Sequence, residues 1–265
     1  ETLELRYSGN SGNRIVYTRY GEGKNPEILG SEKAVDWTST GTTNVWKTAT
    51  SLENLADEYY PGGLFFIEDD SVTWGNHKNY NSSFSNLTEQ YDFCVNGSVH
   101  YVYSTKDPDE YQAIEVTQRD ECIAAFDNSP VSYLVFQGIN FRFSRLSGFY
   151  AGYPAIRGAT DLTFRSCKIG YIGERASGYA YGIAAWHSNF LVEFCQISDC
   201  GRRGISINLY LDQEYPENRV LKNIIIRKNF FKRGFHTTAL DLSSQLTSND
   251  TITGVYFYGN IVDDS

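Results

Sequence analysis

The chain has 265 residues, a net charge of −9, no methionine, and 20 tyrosines with 16 phenylalanines. That length suits one large domain or two modest ones, and the density of aromatic and β-branched side chains favours strands over helices and excludes a disordered chain. The acidic balance, without any Lys/Arg run, speaks against a nucleic-acid partner, and no stretch approaches the roughly 20 apolar residues of a membrane span.

In chain order, residues 1–30 read as an opening rung. Residues 31–112 are turn-rich strands around Trp46, Phe65, Phe66, Trp74, Phe93 and Tyr101. Residues 113–265 carry a repeat. Five segments share one template: Leu134, Phe136, Ile139, Phe141; Leu162, Phe164, Cys167, Ile169; Phe190, Val192, Cys195, Ile197; Ile224, Ile226, Asn229, Phe231; and Val255, Phe257, Asn260, Val262. The third positions, 139, 167, 195, 229 and 260, recur at steps of 28, 28, 34 and 31 residues. Between the copies lies a second strand, in "AIRG", "GIAAW", "GISIN" and "ALDLS", with Ile156, Ile183, Ile205 and Leu240 pointing inward.

Short strands at that period, with no amphipathic helix between them, predict an all-β solenoid in which each copy is one rung of a parallel β-helix. Residues 1–30 are then the opening rung, 31–112 a β-rich excursion packed on the coil, and 113–265 the regular rungs of a single domain. Like residues stack between rungs, so Asn229 and Asn260 form an asparagine ladder, and Cys167 lies on Cys195. A disulfide between these two fits the distance, but stacked buried thiols fit an interior slot better. Arg165, Glu193 and Arg227 alternate in charge on the outer surface and read as ion pairs between rungs. The five cysteines lack CxxC or Cys/His spacing, which speaks against zinc. The missing signal peptide and methionine read as a trimmed or mature segment, and the uncapped end "NIVDDS" as a coil that continues past residue 265.

"DLTFRSCKIGYIG", "NIIIRKNFFKRG" and "GVYFYGNIVDDS" resemble core turns of the secreted right-handed parallel β-helix proteins, the pectate-lyase-like group of polysaccharide lyases and glycoside hydrolases. "SGNSGNRIVYTRYGEGKNPEILGS" resembles the first rung of many bacterial members, and the likeness spans nearly the whole chain. The resemblance implies a right-handed coil, a monomer, a polysaccharide or oligosaccharide ligand, and a secreted or cell-surface location. It implies no particular activity, because the fold hosts many chemistries. The polygalacturonase signatures Asn-Thr-Asp, Gly-His-Gly and Arg-Ile-Lys are absent, as are the clustered aspartates with which pectate lyases hold calcium. No cofactor is required by the pattern. Calcium is common in the group, and "IEDDS", "KDPDE" and "YLDQEYPEN" offer hard oxygens, though without the spacing of a defined loop.

In a coil the rungs are scaffold, and function falls to exposed faces and long turns. The turns "SRLSGFYAGYP" and "GYIGERASGYAY" on one edge and "NLYLDQEYPENR" on the other would wall a groove over the second strand. Alternation gives its floor two ladders, Arg157, Ala184, Ser206, Asp241 and Ala159, Trp186, Asn208, Ser243. Trp186, Tyr179, Tyr181 and Tyr210 offer rings to stack on sugars, with Asn208 and Arg203 as hydrogen-bonding groups. Glycoside hydrolysis needs two carboxyls, for which Asp241 and Glu174 are the candidates. A lyase needs a base and a cation at a uronate carboxyl, for which His187 or His236 with Arg157 or Arg203 would serve. The expected function is therefore an extracellular polysaccharide-cleaving enzyme, a hydrolase ahead of a lyase, with a non-catalytic carbohydrate-binding or structural module as the alternative. The bland readings are a solvated Asp241, histidines bonded within turns, and Arg202 or Arg203 paired with Asp199.

Overall fold

The computed structural model describes residues 2–48, 62–78, 83–125, 131–151, 160–174, 179–186, 188–209, 220–234, 238–244 and 251–263. Its fold is all-β, a right-handed parallel β-helix with a β-rich excursion after the first rung. Three six-stranded sheets form the faces of the coil. Sheet I holds Leu3–Glu4, Glu121–Ala124, Ser147–Tyr150, Tyr181–Ala185, Arg203–Leu209 and Thr238–Ser244. Sheet II holds Ile15–Thr18, Ser132–Gln137, Thr160–Arg165, Phe190–Glu193, Ile224–Arg227 and Val255–Tyr258. Sheet III holds Glu27–Leu29, Asn140–Arg142, Lys168–Ile172, Gln196–Cys200, Phe230–Gly234 and Ile261–Asp263. No α-helix occurs among the described residues, and so none long and apolar enough to cross a membrane.

The template copies pair residue for residue. Leu134, Leu162, Phe190, Ile224 and Val255 are successive partners, as are Phe136, Phe164, Val192, Ile226 and Phe257. Phe141, Ile169, Ile197, Phe231 and Val262 follow the same rule in sheet III. The rings of Tyr17, Phe136 and Phe164 stack with centroids 5.1 Å apart at each step. Each fully buried Phe of this core contributes roughly 1.5–3 kcal/mol through removal from water.

The corners are made by single residues in the left-handed region, again in columns. Tyr133, Asp161, Asn189, Asn223 and Gly254 (φ 54–62°) open the sheet II strands, and Gly138, Ser166, Phe194, Lys228 and Gly259 (φ 52–63°) close them. Asn and Gly occupy such positions at little cost, whereas Phe194 and Lys228 are held there by the rungs on either side. Immediately after the second corner comes the column Cys167, Cys195, Asn229, Asn260. The Cys167 N–H points to Cys195 Sγ at 3.4 Å, the Cys195 N–H donates to Asn229 Oδ1 at 2.9 Å, and the Asn229 N–H to Asn260 Oδ1 at 2.9 Å. The amide nitrogens of Asn229 and Asn260 reach the carbonyls of Val192 (3.0 Å) and Ile226 (2.9 Å). All five cysteines are buried, and burial pushes the Cys122 thiol up to about 11, the state of an inert core thiol.

Outside sheet II, Glu193 lies between Arg165 (2.6 Å) and Arg227 (2.7 Å) and is itself almost fully covered. Burial alone would raise its pKa, but hydrogen bonds from Arg227 and Arg165 outweigh that and hold the carboxyl below its ordinary value.

The excursion leaves the coil after Glu27–Leu29 and returns before Glu121–Ala124, at the corner between sheets III and I. It comprises a five-stranded sheet (Trp37–Ser39, Val45–Thr48, Val99–Tyr103, Asp92–Asn96, Asn76–His77) and a four-stranded one (Ser31–Ala34, Ala113–Thr117, Leu64–Glu68, Ser71–Trp74). Trp37, Phe66, Phe93, Val102 and Ile114 form a core of its own. It is fastened to the coil by Phe65, whose ring lies 4.6 Å from Phe143 and 4.8 Å from Trp74. Gly63 permits the approach: a Cβ there would sit 2.6 Å from the carbonyl oxygen of Gly173.

Two outcomes are expected. Asn229→Ala orphans the Cys195 N–H and the Val192 carbonyl and lowers stability by about 2–4 kcal/mol in urea unfolding. Because the folded-state pKa of Glu193 is depressed, its contribution is present above the unfolded value of about 4.3 and is lost as pH falls through the folded value. In urea unfolding followed against pH, Glu193→Gln therefore loses about 1–3 kcal/mol at pH 7, and the difference from wild type vanishes in acid.

Candidate functional site

Two outward ladders of sheet I carry the polar side chains. Register pairs Ala124, Tyr150, Ala184, Ser206 and Asp241 in one, and Glu121, Ser147, Tyr181, Arg203 and Thr238 in the other. Asn208 lies two residues beyond Ser206 and pairs with Ser243. The expected ladder of Ala184, Ser206 and Asp241 is thus present, but the place assigned to Arg157 is held by Tyr150. The reason is a short corner. Phe143 turns with φ 64°, Ser144 Oγ donates to the Ser147 carbonyl at 2.7 Å, and the strand Ser147–Tyr150 is complete before "AIRG" is reached. Phe149, not Ile156, is the inward residue that pairs with Ile183. Arg157, His187, His236 and Tyr210 lie outside the described residues.

Asp241, Arg203, Ser206 and Asn208 form one network. Arg203 Nη1 is 3.0 Å from Asp241 Oδ2, and Asn208 Nδ2 donates to Ser206 Oγ at 2.9 Å. Ser206 Oγ also lies 3.5 Å from Asp241 Oδ2 and 3.4 Å from Arg203 Nη1. Ser206 and Asn208 are buried, whereas the side chains of Arg203 and Asp241 keep 17% and 22% of their surface open. The reachable part of the face is therefore the ion pair. Beside it the Arg203 guanidinium lies 5.7 Å from the Tyr181 ring centroid, and Tyr179 meets Tyr181 edge-on at 6.3 Å. Arg202 lies 5.4 Å from the ring of Tyr179, which is 45% exposed. Trp186 packs against the coil core and meets Tyr150 edge-on at 5.1 Å; its half-buried ring has an indole N–H without a partner among the described residues.

Glu174 does not join this network in any described contact. Its Oε1 lies 3.4 Å from Nδ1 of His77, a residue of the excursion whose ring stacks on Phe93 at 4.8 Å. The partner expected for Asp199 is also different: Arg233, not Arg202 or Arg203, holds it with two contacts of 2.7 and 2.8 Å. Among the acidic segments considered for calcium, Asp70 is ion-paired with Lys24, Glu68 with Lys106, and Asp109 accepts from the Trp37 N–H at 3.2 Å. "YLDQEYPEN" lies outside the described residues. No three His, Cys, Asp or Glu side chains converge among the described residues as a metal site.

Sequence reasoning missed two features. Burial, then the neighbouring Asp120, push Glu121 up to about 7 against the opposing effect of Arg145. Asp241, the carboxyl it would have to pair with, lies four rungs away. At roughly 4.8 Å per rung that is about 19 Å, beyond the separation of a glycosidase carboxyl pair. The second is a cleft of about 810 Å³ on sheet III, between Lys168, Gln196 and Arg142 on the coil and Ile67, Asp70 and Gln112 on the excursion. No local signal marks it, because it arises from how the excursion sits on the coil. The small residue before the inward one, as in Gly148, Gly182 and Gly204, would have located Ser147–Tyr150.

No protein-family model matches the chain, and no curated protein matches it. Among solved structures the chain is similar to one described as "The complex structure of XylC with xylose", with a TM-score of 0.48 and 11% sequence identity over 95% of this chain. The match covers 61% of that protein, so the present chain spans under two thirds of its length.

Proposed function

We propose that the chain is an extracellular carbohydrate-active enzyme that lays a polysaccharide across the outer face of sheet I and cleaves it at Asp241. The observation that carries this reading is the Arg203–Asp241 ion pair, about a fifth of whose surface stays open, with Ser206 Oγ 3.5 Å from the carboxylate and Tyr181 and Tyr179 beside it. Tyrosine rings stack on the apolar faces of sugars, and the polar network beside them meets hydroxyls. Paired with Arg203 at 3.0 Å, Asp241 takes the place of the base or nucleophile of a hydrolysis in this reading, not of its proton donor. Glu174, bonded to His77, is not that donor in the arrangement described; His187 and His236, the candidate bases of a lyase, lie outside the described residues.

A second reading rests on the same pair. With Glu174 turned away, Arg203 could neutralise a uronate carboxylate while a neighbouring base takes the α-proton, the electron pair then expelling the glycosidic oxygen in a lyase reaction.

A panel of neutral and uronate-containing polysaccharides, incubated with wild type and Asp241→Asn, separates these readings. The hydrolase reading predicts new reducing ends without the ultraviolet absorbance of unsaturated sugars, and a loss of about a hundredfold or more in the variant at unchanged thermal stability. Absorbance that survives the substitution would establish the lyase. Binding without any product would overturn catalysis and leave a carbohydrate-binding module.

A further inference from the structure

We propose that the cleft between sheet III and the excursion is a second glycan site, separate from sheet I, and that it takes an acidic oligosaccharide lying along the coil axis. The cleft encloses about 810 Å³, within the roughly 300–1,000 Å³ of small-molecule sites. Its floor is periodic. Asn140, Lys168 and Gln196 are register partners on three successive rungs, and Arg142, Gly170 and Ser198 are partners in the adjacent column. With rungs roughly 4.8 Å apart, amide, ammonium and amide follow one another over about 10 Å in the direction a linear chain would run. Gly170 puts no side chain on the floor, and Ser198 packs over it: a Cβ there would meet the Ser198 carbonyl oxygen at 2.6 Å.

The charge pattern selects the ligand. The lining carries four cations (Lys24, Arg142, Lys168, Arg233) against two carboxylates (Glu27, Asp70). Three of the cations are engaged: Lys24 with Asp70 at 3.2 Å, Arg142 with Glu27 at 3.2 Å, and Arg233 with Asp199 at 2.7 Å. Lys168, exposed in the middle of the floor, has no carboxylate within ion-pair distance among the described residues. An unopposed ammonium in a chain of net charge −9 favours an anionic group at that point. Of the flanking amides, Asn140 donates to Glu27 at 3.3 Å and accepts from Asn25 at 3.4 Å, so the Gln196 amide is the group that offers both a donor and an acceptor, the pattern that matches sugar hydroxyls and not a run of phosphates. A single ammonium on an acidic protein does not supply the phosphate contacts of nucleic-acid binding.

The test is titration calorimetry with a short oligogalacturonate, a cello-oligosaccharide of equal length and a short polyglutamate, on wild type, Lys168→Glu, Gln196→Ala and Asp241→Asn. The proposal predicts salt-sensitive binding of the oligogalacturonate but not of the neutral sugar, weakened about tenfold or more by Lys168→Glu, weakened less by Gln196→Ala, and unchanged by Asp241→Asn. Because Asp241→Asn addresses sheet I alone, failure there and failure here are separable. Lys168 is exposed, and an unchanged melting temperature would show that its variant folds. No binding by wild type at millimolar concentration would overturn the proposal, as would binding insensitive to Lys168→Glu. Polyglutamate bound equally well with the same sensitivity would replace the saccharide by an acidic peptide and also overturn it.

Discussion

Parallel strands hydrogen-bond to the rung before and the rung after, so each residue in a coil of this kind is locked opposite its counterpart one turn away. Once one rung is in register, the next can bury its apolar side chains only in that same register, since a slip of one residue would turn the set outward. The column Cys167, Cys195, Asn229, Asn260 sits where this constraint is most exacting. The chain turns a corner there through Ser166, Phe194, Lys228 and Gly259 in the left-handed region, and its N–H groups lose their strand partners. Side chains of the neighbouring rung supply the missing acceptors, with Asn229 and Asn260 doing so in full and Cys195 more weakly. The flat outer faces, and the ladders on them, follow from that register.

The excursion divides those faces into two kinds. Sheet II carries ion pairs such as Arg165–Glu193–Arg227, a surface that needs no ligand to be satisfied. The excursion is anchored through Phe65 on Phe143, leans over sheet III, and so turns an ordinary outer face into the wall of a cleft. It also reaches the corner toward sheet I, where His77 meets Glu174. That contact withdraws one carboxyl from the polar face and leaves Asp241 with Arg203 as its charged pair.

The repeat was legible because alternation and spacing are local properties. The five template copies, the Cys167–Cys195 stack, the asparagine ladder and the Arg165–Glu193–Arg227 series could all be read from residue types at fixed steps. The strand Ser147–Tyr150 was hidden because "SGFYAGYP" is rich in Gly and Tyr, which reads as a turn, while its inward residue Phe149 stands alone between them. Phe194 and Lys228 gave no sign of left-handed corners, since neither prefers that conformation, and their neighbours impose it. Contacts between the excursion and the coil, Glu174 with His77 and Ile67 over the sheet III floor, join residues far apart in sequence. No periodicity encodes them. Thus Ser206, Asp241 and Asn208 could be placed on one face from the sequence, whereas Tyr181 and Arg203, read as turn residues but found in the strands Tyr181–Ala185 and Arg203–Leu209, the partner of Glu174 and the sheet III cleft required the fold.

Native-state hydrogen exchange of the amides of Cys195 and Asn229 tests most directly that the stacked column holds the coil in register. These N–H groups lie at a corner, outside any strand ladder, and their acceptors are side chains of the next rung. The account predicts protection close to that of the core strands Phe190–Glu193 and Ile224–Arg227, lost only on global unfolding. Exchange at the rate of an open turn, while those strands stay protected, would contradict it.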